Sequence, residues 1–474
     1  MLFNSLPFLA LVLVTFFAYY LPSLRNYQVS ILILSSFVFY AYGQPLLLVL
    51  LVFSAFVTSC CSYYARHASR SMAKRLWATS GVVLNLSVLA FFKYSKLLAE
   101  TVLNEISSAD GAGHFFLTIV LPIGISFYTF QGISLMIDTF QHREKYSDNQ
   151  GDTPGKLTTH TRNTFLYICF FPQLVAGPIV RSGQFMPQIQ RKYFRDINWT
   201  FIAHCLITGY FLKMVVADNL QAQTFWISYP YFEHRSSIDL VVLVFGYSMQ
   251  IFADFAGYSL IAIGVAALFG YWLPKNFNFP YIAQSFSEFW KRWHISLSSW
   301  LKEYLYIPLG GNRLGSPRLY LNLLVVMLLG GLWHGAAWSY AMWGLWHGFA
   351  LAIERPFLGT RFFTATSLPL TLMRASLVFV FVSFSWLLFK LPEFQHVVMY
   401  LKALVNNTGL VPNQTTWVIV LFYSTPVIVY HGLYLAKRRS IAFQDSVRNK
   451  LCGFMLAMIV LNSGNQNAFI YFQF

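Results

Sequence analysis

Long apolar runs recur along almost the whole chain, and they constrain its fold more than any other feature of the sequence. Hydrophobic residues make up 57% of the chain and charged residues only 11%, whereas a soluble domain carries roughly 25% charged residues. A bilayer offers no water to backbone groups, so we predict an all-α polytopic membrane protein with about twelve transmembrane helices, in a single domain over 1–474. The runs lie at approximately 7–22, 28–42, 46–64, 77–92, 114–138, 201–217, 239–268, 319–334, 338–353, 367–389, 415–436 and 451–463.

The basic residues, which give the chain a net charge of +16, recur in short clusters between the apolar runs. An orientation with both termini outside places most Lys and Arg residues in inside loops, as the positive-inside rule requires. The charge therefore indicates topology and not nucleic-acid binding, although cationic loops could also attract anionic lipid or an anionic soluble donor. No basic segment precedes the first apolar run, so we expect a transmembrane helix there and not a cleaved signal peptide.

Two segments depart from the pattern of simple spans. Residues 164–180 are apolar but contain Pro172 and a later Gly-Pro pair, which favours a broken helix or a re-entrant element. Residues 283–306 mix three tryptophans with charged side chains. That composition predicts an amphipathic segment near the cytoplasmic interface, or one that lines a cavity there.

His334 is the first candidate for chemistry. It ends an apolar run within the sequence Gly-Gly-Leu-Trp-His-Gly, and we expect it toward the inner end of a membrane hairpin. A titratable imidazole in apolar surroundings is costly unless it is paired or used, and it can exchange protons near neutral pH. The flanking glycines would let backbone or substrate approach closely. A core histidine bonded to a carbonyl is the structural alternative, and His347, in a second Trp-His-Gly, is interpreted as structural.

His294 is the second candidate, in the sequence Glu-Phe-Trp-Lys-Arg-Trp-His that begins at Glu288. Trp290 precedes it by one helical turn and shares its face, so His294 could either contact substrate or pack on the indole. Glu288 and Arg292 have the same spacing, which predicts an ordinary ion pair on the helix surface.

Asp254 is a carboxylate inside an apolar run, and such a group needs a partner. We expect Arg, His or a tyrosine hydroxyl in that role, with Asp254 orienting another group and not acting directly. The sequence lacks the motifs of serine hydrolases, P-loop pumps and zinc proteases, and no metal site is predicted. Composition alone leaves a channel or transporter possible.

Seven segments together resemble one known family. These segments follow one another in the same order as in that family, between about residues 120 and 355. We call this region the motif-bearing core, and we expect C-terminal helices over 367–474 after it. The chain resembles the membrane-bound O-acyltransferases, and is especially similar to the alginate O-acetyltransferase type of membrane subunit; its last residues, Tyr471–Phe474, also resemble this branch. The segments are Leu121–Tyr128, Phe171–Pro178, Asp254–Ser259, Asn276–Tyr281, Glu288–Ser298, Tyr304–Arg313 and Gly331–Gly335.

The resemblance implies transfer of an acyl group to a hydroxyl, with His334 matching the family's essential histidine and His294 a second motif histidine. It further implies re-entrant or interfacial helices around a central funnel in the bacterial inner membrane. Acetyl-CoA would be the donor, with no bound cofactor, and an extracytoplasmic SGNH-type, esterase-like protein would pass the acetyl group to a polysaccharide. The supporting residues that we assign on this basis are Trp290, Lys291, Arg292, Trp293, Trp333, Asp254, Asn312 and Arg313.

The acceptor stays open at this point. Leu260 follows the Gly-Tyr-Ser segment, where some alginate-type members carry an acidic residue. That departure also allows an enzyme that modifies peptidoglycan or teichoic acid. A membrane transporter of an acyl donor, with the histidines along its path, is the alternative from a different class.

Overall fold

The computed structural model describes residues 1–103, 121–141, 155–175, 177–436, 441–465 and 469. Every regular element within these residues is helical, in agreement with the predicted all-α class. They form two compact units: unit 1 contains Met1–Leu206 and Ile261–Pro274, and unit 2 contains Ile207–Leu260 and the described part of Lys275–Phe474. The assignment of a single domain stays a prediction.

Unit 1 begins with two apolar helices, Leu6–Tyr20 and Gln28–Ala41. The chain bends by 99° between them, where Pro22 starts a short 3-10 helix. The segment that we expected to be broken does break, since one helix ends at Cys169 and a short one starts again at Phe171. The other long helices that begin in this unit are Leu47–His67, Ser71–Leu103, Ile125–Phe140, Leu157–Cys169 and Trp199–Tyr210.

Unit 2 contains most of the motif residues. Its chain is interrupted by two π-helical stretches, Phe211–Ala217 and Lys302–Tyr306, a rare geometry that is frequent at functional sites. The main helices of this unit are Asp218–Thr224, Ser237–Leu268 (up to Leu260), Phe286–Arg292, Ile295–Leu301, Ser316–His334, Trp338–Glu354, Leu368–Ser385, Phe394–Asn406, Gln414–Ala436 and Ile441–Leu461.

Seven helices of the described chain are long and apolar enough to cross a bilayer, or eight if the bent N-terminal pair is one span. This count is lower than the twelve apolar runs of the sequence. Several runs are helical but short: Trp338–Glu354 has 17 residues and Ile125–Phe140 has 16, whereas a straight span needs about 20. The long spans are Leu47–His67, Ser71–Leu98, Trp199–Ile227, Ser237–Leu268, Ser316–His334, Leu368–Lys390 and Gln414–Tyr434.

The helices Ser316–His334 and Trp338–Glu354 form a tight pair, which we call the hairpin. A Cβ atom added at Gly331 would lie 2.2 Å from the carbonyl oxygen of Tyr340, and one at Gly344 would lie 2.2 Å from that of Met327. Glycine therefore lets the two backbones touch, as small residues do between membrane helices. The hairpin holds His334 at its tip through this contact.

We expect Gly331→Ala to lower the stability of the protein by about 1–3 kcal/mol or more, because the methyl group would push against backbone and not against a flexible side chain. Thermal unfolding in detergent measures the effect. Gly432→Ala is the matched control, since a Cβ there meets nothing within 4 Å, and alanine is the better helix former. Equal melting temperatures for the two variants would contradict the tight hairpin.

Candidate active site

The two motif histidines lie next to each other in unit 2. The ring centroids of His294 and His334 are 6.1 Å apart. His334 is the last residue of its helix, and His294 is the residue just before the helix Ile295–Leu301. The side chains are buried, with exposed fractions of 5% for His334 and 0% for His294. Two segments that are forty residues apart in sequence thus meet at one point.

Aromatic rings enclose this histidine pair. Trp333 lies 5.1 Å from His334 and 5.9 Å from His294 between ring centroids. Trp343 and Phe389 each lie 5.2 Å from His334. Such a shell keeps bulk water away from the two rings.

The backbone at His294 takes an uncommon conformation that orients its ring. Its φ is +41° and its ψ is 54°, in the left-handed region that non-glycine residues seldom adopt. The segment around Asn276 supports this turn, because the N–H of Ile295 donates to the Asn276 carbonyl at 2.9 Å. The Asn276 amide in turn donates to Ser259 Oγ at 3.0 Å. Strained backbone persists only where its surroundings fix it, and it is concentrated at functional sites.

The Asp254–Ser259 segment therefore supports His294. Phe255 packs edge-on against the His294 ring at 4.6 Å, and Ser259 anchors Asn276. Phe469, which is 1% exposed, stacks on Tyr258 at 4.3 Å. The neighbouring residues Tyr471–Phe474, which resemble the family, lie outside the described residues.

The tryptophan-rich segment follows the second helix of the hairpin toward its tip. Its first helix begins at Phe286 beside Glu354, the last residue of the hairpin. Trp290 lies 5.2 Å from His347, which is two turns further up the hairpin, and His294 reaches the tip. The segment thus runs alongside the hairpin within unit 2. Its place near the cytoplasmic interface, or along a cavity there, stays a prediction.

The tryptophans of this segment pack and its basic residues are partly exposed. Trp293 is 2% exposed and lies 4.9 Å from the Trp386 ring. Lys291 is exposed and Arg292 is half-buried. The predicted ion pair is confirmed, with Arg292 Nη2 at 2.8 Å from Glu288 Oε1. Arg292 also donates to the carbonyl of Asn278 at 2.9 Å, so it braces the turn before His294.

Asn312 and Arg313 are not brought to the histidine pair. Both are exposed in the turn that precedes Ser316–His334. That helix has 19 residues, so His334 lies about 28 Å away at its other end. The helix is continuous, so this turn and His334 lie at its opposite ends. The expectation that His334 lies toward the inner end of the hairpin stays a prediction.

The partner of Asp254 is a lysine, a residue type that we did not predict for this role. Lys213 Nζ lies 2.8 Å from Asp254 Oδ1 and 2.7 Å from Asp218 Oδ1, and the three side chains are at most 5% exposed. Lys213 belongs to the π-helical stretch. An intramembrane lysine in the apolar run 201–217 was the available signal, since a buried cation needs an anion.

His347 has a structural partner, as we interpreted. It is completely buried, and its Nε2 lies 3.0 Å from Ser385 Oγ. Ser385 Oγ itself donates to the Val382 carbonyl at 2.6 Å, so it accepts from the imidazole. This bond ties the hairpin to the neighbouring helix. Within the described residues, no group of three or more His, Cys, Asp or Glu could hold a metal ion.

Glu354 is a positioning residue that sequence reasoning missed. Its carboxylate is 5% exposed and accepts hydrogen bonds from the N–H groups of Phe286 and Ser287, the second at 3.0 Å. A carboxylate at the start of a helix satisfies its free N–H groups and complements its dipole. Glu354 thus attaches the start of the tryptophan segment to the base of the hairpin and fixes how far His294 extends toward His334.

We expect Glu354→Ala to lower turnover about 10- to 100-fold, because small displacements of reacting groups have effects of that size. Glu354→Gln keeps an acceptor oxygen and should retain more activity than the alanine variant. Glu393→Ala, at a 73% exposed carboxylate, is the control. Comparing kcat and KM of the three variants tests this role; wild-type turnover in Glu354→Ala would exclude it.

Comparisons with known proteins identify the family of the chain. Residues 108–395, which include both histidines, match the membrane-bound O-acyltransferase family. The chain belongs to this family, and it is therefore an O-acyltransferase embedded in a membrane.

Three relatives show the range of the family around this chain. "Probable alginate O-acetylase AlgI" of Pseudomonas aeruginosa is 38% identical over 404 residues, which cover 83% of this chain and 73% of that protein. The peptidoglycan O-acetyltransferase of Helicobacter pylori is 37% identical over 403 residues, which cover 80% and 74%. The teichoic acid D-alanyltransferase of Bacillus subtilis is 30% identical over 238 residues, which cover 48% and 56%. The three names describe acyl transfer and mention alginate, peptidoglycan and teichoic acid.

Proposed function

We propose that this protein takes acetyl groups from acetyl-CoA at the cytoplasmic side of a bacterial inner membrane and moves them toward hydroxyls of an extracytoplasmic polysaccharide. The observation that carries the proposal is the buried pair of His294 and His334, with rings 6.1 Å apart inside the family-matched region. The names of the two relatives with broad coverage support acetyl as the acyl group.

In the proposed mechanism His334 is the general base. Its imidazole takes the proton of an acceptor hydroxyl, whose oxygen attacks the thioester carbonyl of the donor. The new C–O bond forms, the C–S bond breaks, and the proton passes from the imidazolium to the departing coenzyme A thiolate. A neutral imidazole is suited to the first step because its unprotonated ring nitrogen can accept a proton. General bases of this kind contribute about 10²- to 10⁴-fold to rate.

The neighbours of His334 have supporting roles in this proposal. Trp333 contacts both imidazole rings, so its indole N–H is our candidate donor to the developing oxyanion. His294 positions donor or acceptor, while Trp290, Trp293 and Arg292 hold its segment. Lys291, which is exposed, is available to phosphates of the donor. Asp254 acts at a distance through Lys213, and Asn312 and Arg313 lie too far away for a role in the transfer step.

The delivery route and the partners complete the proposal. About twelve helices, including the short ones, would surround a funnel that leads the acetyl group outward through the bilayer. An SGNH-type, esterase-like protein outside would supply the acceptor hydroxyl of this step and would then pass the acetyl group to the polymer. An exopolysaccharide such as alginate is the first candidate acceptor. Peptidoglycan is the second, because the Helicobacter pylori relative matches over a similar share of the chain.

Sealed vesicles that contain the purified protein test this function. Acetyl-CoA with a labelled acetyl group is supplied on one side, and either alginate or peptidoglycan fragments, with the partner protein, on the other. We expect free coenzyme A thiol on the donor side and label on the acceptor side. Movement of intact acetyl-CoA without thiol release would instead indicate a transporter and would overturn the proposal. Label on only one polymer identifies the acceptor class.

A further inference from the structure

Unit 1 contains a cationic groove that the acyl-transfer site does not use. A cavity of about 400 Å³ adjoins one of about 150 Å³, and the two share Gln190 and Arg191 in their walls. The basic side chains in these walls are Arg25, Arg162, Arg191 and Lys192, and the one carboxylate is Asp196. The groove therefore carries a local excess of positive charge.

The walls of the groove are held by specific contacts. Gln28, which is 5% exposed, binds both sides of the Lys192 backbone, accepting from its N–H at 3.0 Å and donating to its carbonyl at 2.9 Å. Arg191 Nη2 donates to Asn26 Oδ1 at 3.0 Å. The Arg25 guanidinium lies 4.1 Å from the Tyr193 ring centroid. These contacts preorganise the cations and so reduce the entropy lost when a ligand binds.

Among the described residues, no carboxylate lies at ion-pair distance from Arg25, Arg162, Arg191 or Lys192. Asp196, the carboxylate in the walls, pairs with Arg195 at 3.7 Å. The buried Nε of Arg25 makes no hydrogen bond within the described chain. Burial lowers the pKa of Lys192 to about 8, against the effect of Asp196, which raises it. The lysine is thus still largely charged near pH 7.

We propose that this groove binds a phosphate ester. Guanidinium groups match phosphate oxygens with paired N–H donors, and the several oxygens of one phosphate can accept from more than one cation. The predicted orientation places all four cations on the inside, where two sources of phosphate esters are present: the headgroup of an anionic phospholipid and the nucleotide end of a soluble donor. The groove belongs to unit 1 alone; the lipid source does not depend on the proposed function, and the nucleotide source rests on it.

The test measures binding of two probes to the full-length protein purified in a zwitterionic detergent. One probe is adenosine 3′,5′-bisphosphate, a soluble phosphate ester, and the other is phosphatidylglycerol. We expect at least one of them to bind and Arg25→Ala or Arg191→Ala to weaken that binding about tenfold or more, as loss of a hydrogen bond to a charged group does. Binding of the lipid alone identifies a headgroup site, and binding of the bisphosphate alone a nucleotide site.

Arg195→Ala is the matched control. Arg195 is a neighbouring cation whose side chain is 83% exposed and does not line either cavity. If the groove binds the probe specifically, we expect Arg195→Ala to bind it almost as well as wild type does. We also expect equal melting temperatures for all the variants. The proposal is overturned if neither probe binds, or if Arg195→Ala weakens binding as much as Arg191→Ala does, because the attraction would then be diffuse.

Discussion

His334→Gln is expected to lower acyl transfer by about 10²- to 10⁴-fold, the usual contribution of a positioned general base. Glutamine keeps much of the volume of histidine, so the ring contacts with Trp343 and Phe389 are replaced by packing of similar extent. What is lost is the group that can accept a proton. Release of free coenzyme A thiol from acetyl-CoA, measured in membranes that contain equal amounts of folded protein, gives the effect.

His347→Gln is the matched control for this prediction. His347 is also buried, lies in the same hairpin and contacts the same Trp343 ring, but its bond to Ser385 indicates a structural role. We expect this variant to be less stable while its turnover per folded molecule stays within about threefold of wild type. The prediction is contradicted if His334→Gln is as active as wild type, or if both variants lose activity to the same extent. His294 and His334 would then only pack against each other and take no part in the reaction.

Lys213→Met is expected to lower the free energy of unfolding by about 3–5 kcal/mol, which for many membrane proteins means loss of folded material. The substitution removes the ammonium group between Asp218 and Asp254 and leaves two carboxylates buried together. The cost arises because an uncompensated buried charge loses its water and gains no partner. Thermal unfolding in detergent and the recovery of monodisperse protein measure this effect.

Replacing the two carboxylates with neutral amides should restore much of the stability that Lys213→Met loses. In Lys213→Met combined with Asp218→Asn and Asp254→Asn, no charge remains, so the triple variant should be more stable than the single one. Lys402→Met, at an exposed lysine, is the control and should melt like wild type. A Lys213→Met protein as stable as this control would show that the three residues are not electrostatically coupled.

The sequence predicted the class of the fold well because hydropathy is a direct measure of what a bilayer accepts. The sequence also predicted the break before Phe171, because a proline such as Pro172 cannot continue a helix. The number of spans was less accessible. Apolar runs such as 338–353 form helices that are too short for a straight span, and only the packing around them decides how such helices are placed.

The sequence was enough to name candidate site residues, but it gave no information on how they are arranged. His294 and His334 were singled out by type and context, yet their contact depends on a left-handed turn at His294 and on Asn276 beneath it. Glu354 carries no local signal, because its hydrogen bonds reach 67 and 68 residues back along the chain. Asn312 and Arg313 were grouped with the site through the family resemblance, and helix length separates them from it.

The most direct test of the account is a structure of the protein with a non-hydrolysable thioether analogue of acetyl-CoA. If His334 is the general base, we expect the acyl carbon of the analogue within about 6 Å of a ring nitrogen of His334, because a hydroxyl would fit between them at about 3 Å from each. An analogue whose acyl end is bound well away from His294 and His334, with these rings still enclosed by Trp333 and Trp343, would contradict it.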